Sequence, residues 1–257
     1  MSKIAQAFQN GKAFIPFITC GDPNLDVTEQ LVYAMQDAGA DLIELGIPFS
    51  DPTAEGPVIQ EASNRALAGG ATTDRIFDMV ARMRGKVHVP MVFMTYANVV
   101  FSYGIERFTE KEAQLGMDGL ILPDVPFEEK AEFDGACKVH GLDLISLIAP
   151  TSHERITMIA KEASGFVYCV SSMGVTGMRS EITTDIGQMV SLVKQAQDIP
   201  CAVGFGISNP ATAARIAKES DGVIVGSAIV KICAQYGKDC VPYVTEFVRS
   251  MKEAIAP

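Results

Sequence analysis

Eight short apolar runs, alternating with longer polar-patterned segments along 257 residues, predict an α/β protein built as a closed (β/α)8 TIM barrel. The runs are rich in β-branched and aromatic residues and have helix-like sequence between them, so neighbouring strands must pair in parallel through crossovers. Many of the intervening segments reach a glycine just before the next run, as in QDAGADLIEL, AQLGMDGLIL, CKVHGLDLIS, KEASGFVYCV and KESDGVIVGS. A glycine there supplies the left-handed residue that ends a helix. No linker or compositional shift divides the chain, and no G-x-G-x-x-G follows the first strand, which disfavours a doubly wound open sheet. Residues 1–257 are therefore read as one barrel domain.

The elements follow in order. MSKIAQAFQNGKAF lacks the apolar core of a leader and reads as a short, extra amphipathic helix ahead of the barrel. The strands are expected at Phe14–Thr19, Leu42–Ile47, Met91–Tyr96, Gly119–Pro123, Leu144–Ala149, Phe166–Val170, Cys201–Phe205 and Val223–Gly226. The segment after the second strand is much longer than most. It carries GIPFSDPTAEGPVIQ and enough helical sequence for an additional helix, and such insertions are usually functional. Asp26…Glu29, Thr109…Glu112 and Thr151…Glu154 have capping-box spacing and are expected to open helices.

Composition excludes several function classes. Lys+Arg 21 against Asp+Glu 31 gives a formal charge of -10, the wrong sign for holding a phosphate backbone. Six scattered cysteines form neither a C-x-x-C pair nor a disulfide framework, and three histidines add no metal-ligand spacing. No apolar stretch approaches the roughly 20 residues that span a bilayer. The expectation is a soluble protein of a reducing, cytoplasmic compartment, with no metal.

In a barrel of this kind the chemistry sits at the carboxyl ends of the strands. In DLIELGIP, strand alternation puts Leu42, Glu44 and Gly46 on one face and Ile43, Leu45 and Ile47 on the other. The continuous apolar face should meet the helices, which points Glu44 into the barrel mouth. Burial there would raise its pKa toward neutrality and suit it to proton transfer; the alternative is a structural glutamate bonded to a neighbour. The following loop holds Asp51 and Glu55 beside Pro52, Gly56 and Pro57, where acids serve either as presented catalytic groups or as solvated turn formers. Late loops cluster glycines: SSMGVTGMRS (Gly174, Thr176, Gly177), GFGIS (Gly204, Gly206) and VGSAI (Gly226, Ser227). Backbone N–H groups freed by glycine beside a helix start form an anion cradle, the common phosphate site of such barrels. No lysine ends a predicted strand, which argues against a Schiff-base aldolase, and only His153 follows one, which argues against a histidine-held metal. What remains is acid–base chemistry by carboxylates on a phosphorylated small molecule.

PFITCGDP at 16–23, ELGIPFSDPTAEGPVIQ at 44–60, TYANVVFSYGI at 95–105, LPDVPFEE at 122–129, APTS at 149–152, VSSMGVTGMRS at 170–180, GFGISNP at 204–210 and VGSAIVK at 225–231 resemble, in order, the tryptophan synthase alpha chain family. The resemblance implies retro-aldol cleavage of indole-3-glycerol phosphate to indole and glyceraldehyde 3-phosphate. It implies no cofactor in this chain, and a beta chain carrying pyridoxal phosphate that condenses the indole with L-serine, in an α2β2 assembly. Glu44 matches the family's catalytic glutamate. Glu55 stands where the family usually has an aspartate that bonds the indole N–H, and Thr53 where a leucine is common. Gly177, Gly206, Gly226 and Ser227 match phosphate binders, and Phe17, Tyr96 and Tyr168 match the indole pocket. Thr176 and Arg179 fall in the family's closing loop, and Pro48, Asp51 and Pro52 in the loop facing the beta chain. A stand-alone lyase that releases free indole and a weakly catalytic subunit that mainly activates a beta chain stay open as alternatives.

Overall fold

A computed structural model describes residues 3–171, 185–204 and 206–256. Its strand segments are β1 (Ala13–Thr19), β2 (Ile43–Gly46), β3 (Met91–Met94), β4 (Gly119–Ile121), β5 (Asp143–Leu144), β6 (Ser146–Ile148), β7 (Val167–Val170), β8 (Cys201–Gly204) and β9 (Gly222–Val225). They are hydrogen-bonded in the order β5-β4-β3-β2-β1-β9-β8-β7-β6, every pair parallel. The two ends of that order, β5 and β6, are separated in the chain only by Ile145. They are halves of one strand that changes partner midway. β5 pairs with β4, Ile145 N still donates to Leu120 O at 2.9 Å, and β6 pairs with β7. The eight expected runs thus form the barrel, with the fifth carrying its closure.

The helices are α1 (Lys3–Gln6), α2 (Leu25–Asp37), α3 (Pro57–Ala68), α4 (Thr73–Met83), α5 (Ala97–Tyr103), α6 (Ile105–Gln114), α7 (Ala131–Val139), α8 (His153–Lys161), α9 (Ile186–Ala196), α10 (Pro210–Ala217), α11 (Ser227–Tyr236) and α12 (Val241–Ile255). Two of them, α3 and α4, fill the long segment between β2 and β3, as its length required. Strand alternation divides the core in two. Ile43, Leu45 and Ile47 join the layer between strands and helices, packed with residues such as Phe77 and Phe93. Leu42 joins Phe17, Val92, Tyr168 and Ile224 inside the barrel. Ile4 of α1 closes the amino end of that interior, while Ile59 and Ala62 of α3 and Val230 of α11 roof its carboxyl end. Burying an aliphatic or aromatic side chain contributes about 1.5–3 kcal/mol, so these two layers are what hold strands and helices in register.

At the amino end, aspartates that directly precede strands bind across to the strand beside them. Asp41, ahead of β2, accepts from Phe14 N at 2.7 Å; Asp118, ahead of β4, from Met91 N at 3.0 Å; Asp221, ahead of β9, from Cys201 N at 2.8 Å. Each also meets a cation: Lys252 at 2.7 Å, Arg84 at 3.4 Å and Lys194 at 2.8 Å respectively. A first-strand N–H has no ladder partner below it, and a carboxylate from the neighbouring connection fills that vacancy.

The expected capping boxes are corrected. Asn24 caps α2 by accepting from Val27 N at 2.9 Å, which places Asp26 inside the first turn. Ser152 caps α8, accepting from Arg155 N at 3.2 Å, one residue after Thr151. Thr109 and Glu112 lie within α6, which begins after Gly104; the Thr109 hydroxyl donates back to Ile105 O at 3.0 Å. Serine and asparagine compete well for the cap position, and spacing to a glutamate alone does not choose among adjacent acceptors.

Candidate active site

Glu44 sits on β2 inside the barrel and is fully buried; among the described residues, neither of its carboxyl oxygens has a hydrogen-bond partner. Burial pushes its pKa well above the usual carboxylate range, and the nearby charge of Glu55 adds to the rise. A buried carboxyl without a donor holds its proton, because ionising it would leave an unpaired charge in an apolar interior.

Glu55 stands in the loop between β2 and α3 and is 4% exposed. The backbone around it is tied down: Glu55 N donates to Pro52 O at 3.2 Å, and Gln60 Nε2 to Glu55 O at 2.8 Å. Gly56 takes the N-cap position of α3 and Pro57 its first turn, where a missing N–H costs nothing. Glu55 lines a small cavity together with Phe17, Thr19, Gly46, Phe49 and Tyr96.

The aromatic walls depend on glycines at the strand ends. A Cβ on Gly46 would come 2.6 Å from Cζ of Phe17, and one on Gly204 would come 2.6 Å from Cε1 of Tyr168. Only glycine leaves room for those rings to lie across the interior. Tyr168 is 5% exposed; burial raises its hydroxyl pKa well above its usual value, and the charges of Glu44 and then Glu55 add to it. Its ring packs inside the barrel in the same cluster as Phe17. Tyr96 stacks on Phe49 with centroids 5.3 Å apart, and its hydroxyl accepts from Ala54 N at 3.1 Å, which anchors the insertion loop. Burial and then Glu55 raise the Tyr96 pKa as well.

On the other side of β1, Gly226 is the N-cap of α11 and Ser227 its first residue. Gly206 follows β8 with φ +77°, a conformation that glycine adopts freely. Strand β8 pairs with β9, so these two loops leave the barrel side by side, and the second leads directly into a ten-residue helix. Free N–H groups of such a helix start attract an anion.

Of the residues singled out from sequence, the structure brings Glu44, Glu55, Phe17, Tyr96 and Tyr168 together, and sets Gly206, Gly226 and Ser227 at neighbouring strand ends. Thr176, Gly177 and Arg179 lie outside the described residues. Pro48 and Pro52 are buried within this chain, with Pro52 against the cavity, whereas Asp51 is exposed. Sequence reasoning passed over Thr19, Phe49 and Ser63, which also line the cavity. Thr19 and Phe49 sit inside two of the quoted motifs; for Ser63, on α3, strand periodicity held no signal. Among the described residues, no three His, Cys, Asp or Glu side chains gather as metal ligands, and no helix is long and apolar enough to cross a membrane.

Two carboxyls, an aromatic slot and a glycine-lined helix start at the carboxyl ends of parallel strands place this chain in the class of (β/α)8 barrels with a small-ligand pocket at the mouth. Comparison with known proteins narrows the class. The model of the family described as tryptophan synthase alpha chain matches residues 4–256. A tryptophan synthase alpha chain from Caldanaerobacter subterraneus subsp. tengcongensis is 49% identical over 246 residues, covering 95% of this chain and 94% of that one. One from Lacticaseibacillus casei is 46% identical over 255 residues, covering 99% and 96%. Among solved structures, tryptophan synthase of Mycobacterium tuberculosis superposes with a TM-score of 0.89 at 34% identity, covering 99% of this chain and 98% of that one. The alpha chain from Legionella pneumophila subsp. pneumophila gives 0.88 at 35%, covering 99% and 97%. The chain belongs to the tryptophan synthase alpha chain family.

Proposed function

We propose that this chain cleaves indole-3-glycerol phosphate to indole and glyceraldehyde 3-phosphate, with Glu44 as the proton carrier. The observation that carries the reading is the buried, unpartnered Glu44 carboxyl beside Glu55. Retro-aldol cleavage needs a proton delivered to indole C3 and another removed from the adjacent hydroxyl. A carboxyl that is neutral at rest performs both in turn. Glu44 first protonates C3, placing positive charge on the indole N–H. The Glu55 carboxylate accepts a hydrogen bond from that N–H and offsets the charge. Glu44, now ionised, takes the hydroxyl proton as the C–C bond breaks; the electron pair returns to the ring, the hydroxyl carbon becomes the aldehyde, and Glu44 ends as it began. Phe17, Tyr96 and Tyr168 hold the indole, and Gly206, Gly226 and Ser227, with Gly177 and Thr176, hold the phosphate.

The same reading includes a beta chain as partner, docked through the loop containing Pro48, Asp51 and Pro52, in an α2β2 assembly of the cytoplasm. Pyridoxal phosphate belongs to that partner, where the indole is joined to L-serine.

The test is glyceraldehyde 3-phosphate release by wild type, Glu44→Gln and Glu55→Ala, each with and without a beta chain. Loss of most of the rate in both variants, with strong stimulation of wild type by the beta chain, supports the two-carboxyl synthase subunit. A near-normal Glu55→Ala would assign the indole N–H to another group. Full activity without stimulation would mean a stand-alone lyase.

A further inference from the structure

Thr19, at the carboxyl end of β1, is 3% exposed, lines the cavity, and its hydroxyl has no hydrogen-bond partner among the described residues. A hydroxyl buried without a partner is costly, and the site holds it facing the same space as Glu55 and Gly46. Its place in the sheet says what would satisfy it. β1 lies between β2, which carries Glu44, and β9, which leads to Gly226 and Ser227. Phe17 is the residue in register with Glu44, and Thr19 is in register with Gly46, so Thr19 stands about 7 Å further toward the mouth than the carboxyl level. Gly46 offers no side chain there. A molecule with its reacting carbon over Glu44 and its phosphate at the start of α11 must cross the end of β1, and Thr19 Oγ1 is the unpartnered polar atom at that crossing.

We infer that Thr19 is a substrate-binding residue whose hydroxyl hydrogen-bonds the middle hydroxyl of the substrate's glycerol chain, selecting a polyol phosphate over a plain alkyl phosphate. The inference rests on the cleavage reaction proposed above. The outer glycerol hydroxyl must face Glu44 to lose its proton, which leaves the middle one for Thr19.

The test compares wild type, Thr19→Val and Thr19→Ser with two ligands: indole-3-glycerol phosphate, followed by kcat/KM, and indole-3-propyl phosphate, which lacks both hydroxyls, followed by its binding constant. The chain has no tryptophan, so the fluorescence of the bound indole is read without a tryptophan background, exciting at the red edge of the indole band where the six tyrosines absorb little. Thr19→Val keeps the side-chain volume and removes only the hydroxyl. The expected result is a loss of about five- to thirty-fold in kcat/KM for the glycerol phosphate, the effect of one neutral hydrogen bond to a buried group. Propyl phosphate binding should change less than about twofold on the same reasoning, and Thr19→Ser should restore turnover. Equal losses for both ligands would make Thr19 a matter of cavity shape and overturn the inference, as would no loss for either. If wild type binds propyl phosphate yet does not cleave the glycerol phosphate, the proposed reaction fails, and Thr19 is then judged on whether Thr19→Val weakens binding of the glycerol phosphate selectively.

Discussion

Replacing Glu44 by methionine should stabilise the fold while abolishing cleavage, and the gain should grow with pH. Methionine fills a similar volume with no polar atom, so the two unpartnered oxygens disappear from the interior. Removing an unsatisfied buried polar group contributes about 1–3 kcal/mol even where the carboxyl is neutral. The pH-dependent part follows from proton linkage. Burial raises the folded-state pKa of Glu44, so the folded protein holds a proton that the unfolded chain releases above about pH 4.3. Wild type therefore loses stability as pH rises from there toward the raised folded value, at about 1.4 kcal/mol per pH unit, and levels off beyond it. The methionine variant lacks that slope. Glu112, among the described residues the other buried carboxyl with unpartnered oxygens, is present in both proteins and cancels in the difference. The assay is urea unfolding of both proteins from pH 5 to pH 9, with Glu44→Gln as the polar, non-titrating control. Each kcal/mol corresponds to roughly 2–4 °C in Tm for a chain of this size. A gap that does not change with pH, or a methionine variant less stable than wild type at pH 8, would refute the claim that Glu44 is neutral at rest.

Gly46→Ala would put a Cβ 2.6 Å from the Phe17 ring, which must give way by about 1 Å toward the cavity. Overpacking of that kind costs about 1–3 kcal/mol, and a shift of the aromatic wall should lower kcat/KM by up to about a hundredfold, read by steady-state kinetics beside thermal unfolding. Asp41→Ala leaves the buried Phe14 N–H without its acceptor and removes the partly exposed ion pair to Lys252, which keeps its bond to Lys12 O, so a loss of about 1–3 kcal/mol is expected in urea unfolding. Cleavage per folded molecule should stay normal, since Asp41 lies at the end of the barrel away from the mouth.

The barrel was legible because two periodicities coexist in this chain. Alternation in DLIELGIP separated Leu42 and Glu44 from Ile43 and Leu45, and the structure divides its two cores along that line. In QDAGADLIEL and its counterparts, Gly39, Gly116 and Gly141 sit just past helix ends with positive φ, as that pattern predicts, whereas Gly165 lies four residues beyond α8 and Gly222 opens β9. Asp41, Asp118 and Asp221, in three of those segments, were equally visible, yet each bond runs to a strand from another part of the chain, which no local pattern reveals. Helix starts failed for a related reason: Asn24 and Ser152 outcompete nearby acceptors by a residue or two of backbone geometry. The break at Ile145 was hidden because an exchange of strand partners leaves an apolar run unchanged. At the site, Glu44 could be placed by alternation alone. Thr19 could not, since an unsatisfied hydroxyl is a property of the folded surroundings.

The fifth strand's exchange of partners has a consequence for where the catalytic parts reside. It divides the chain into two half-barrels, β1 to β5 and β6 to β9, which meet along two seams. The first half carries both acids and most of the aromatic slot; the second carries Tyr168 and the anion cradle. Neither half owns a working site. A substrate gripped at both ends is a strap across the β1–β9 seam, and every molecule bound adds its own affinity to the docking of the halves. The proposed reaction is thereby tied to completion of the fold, because Glu44 and the start of α11 face each other only once that seam is zipped.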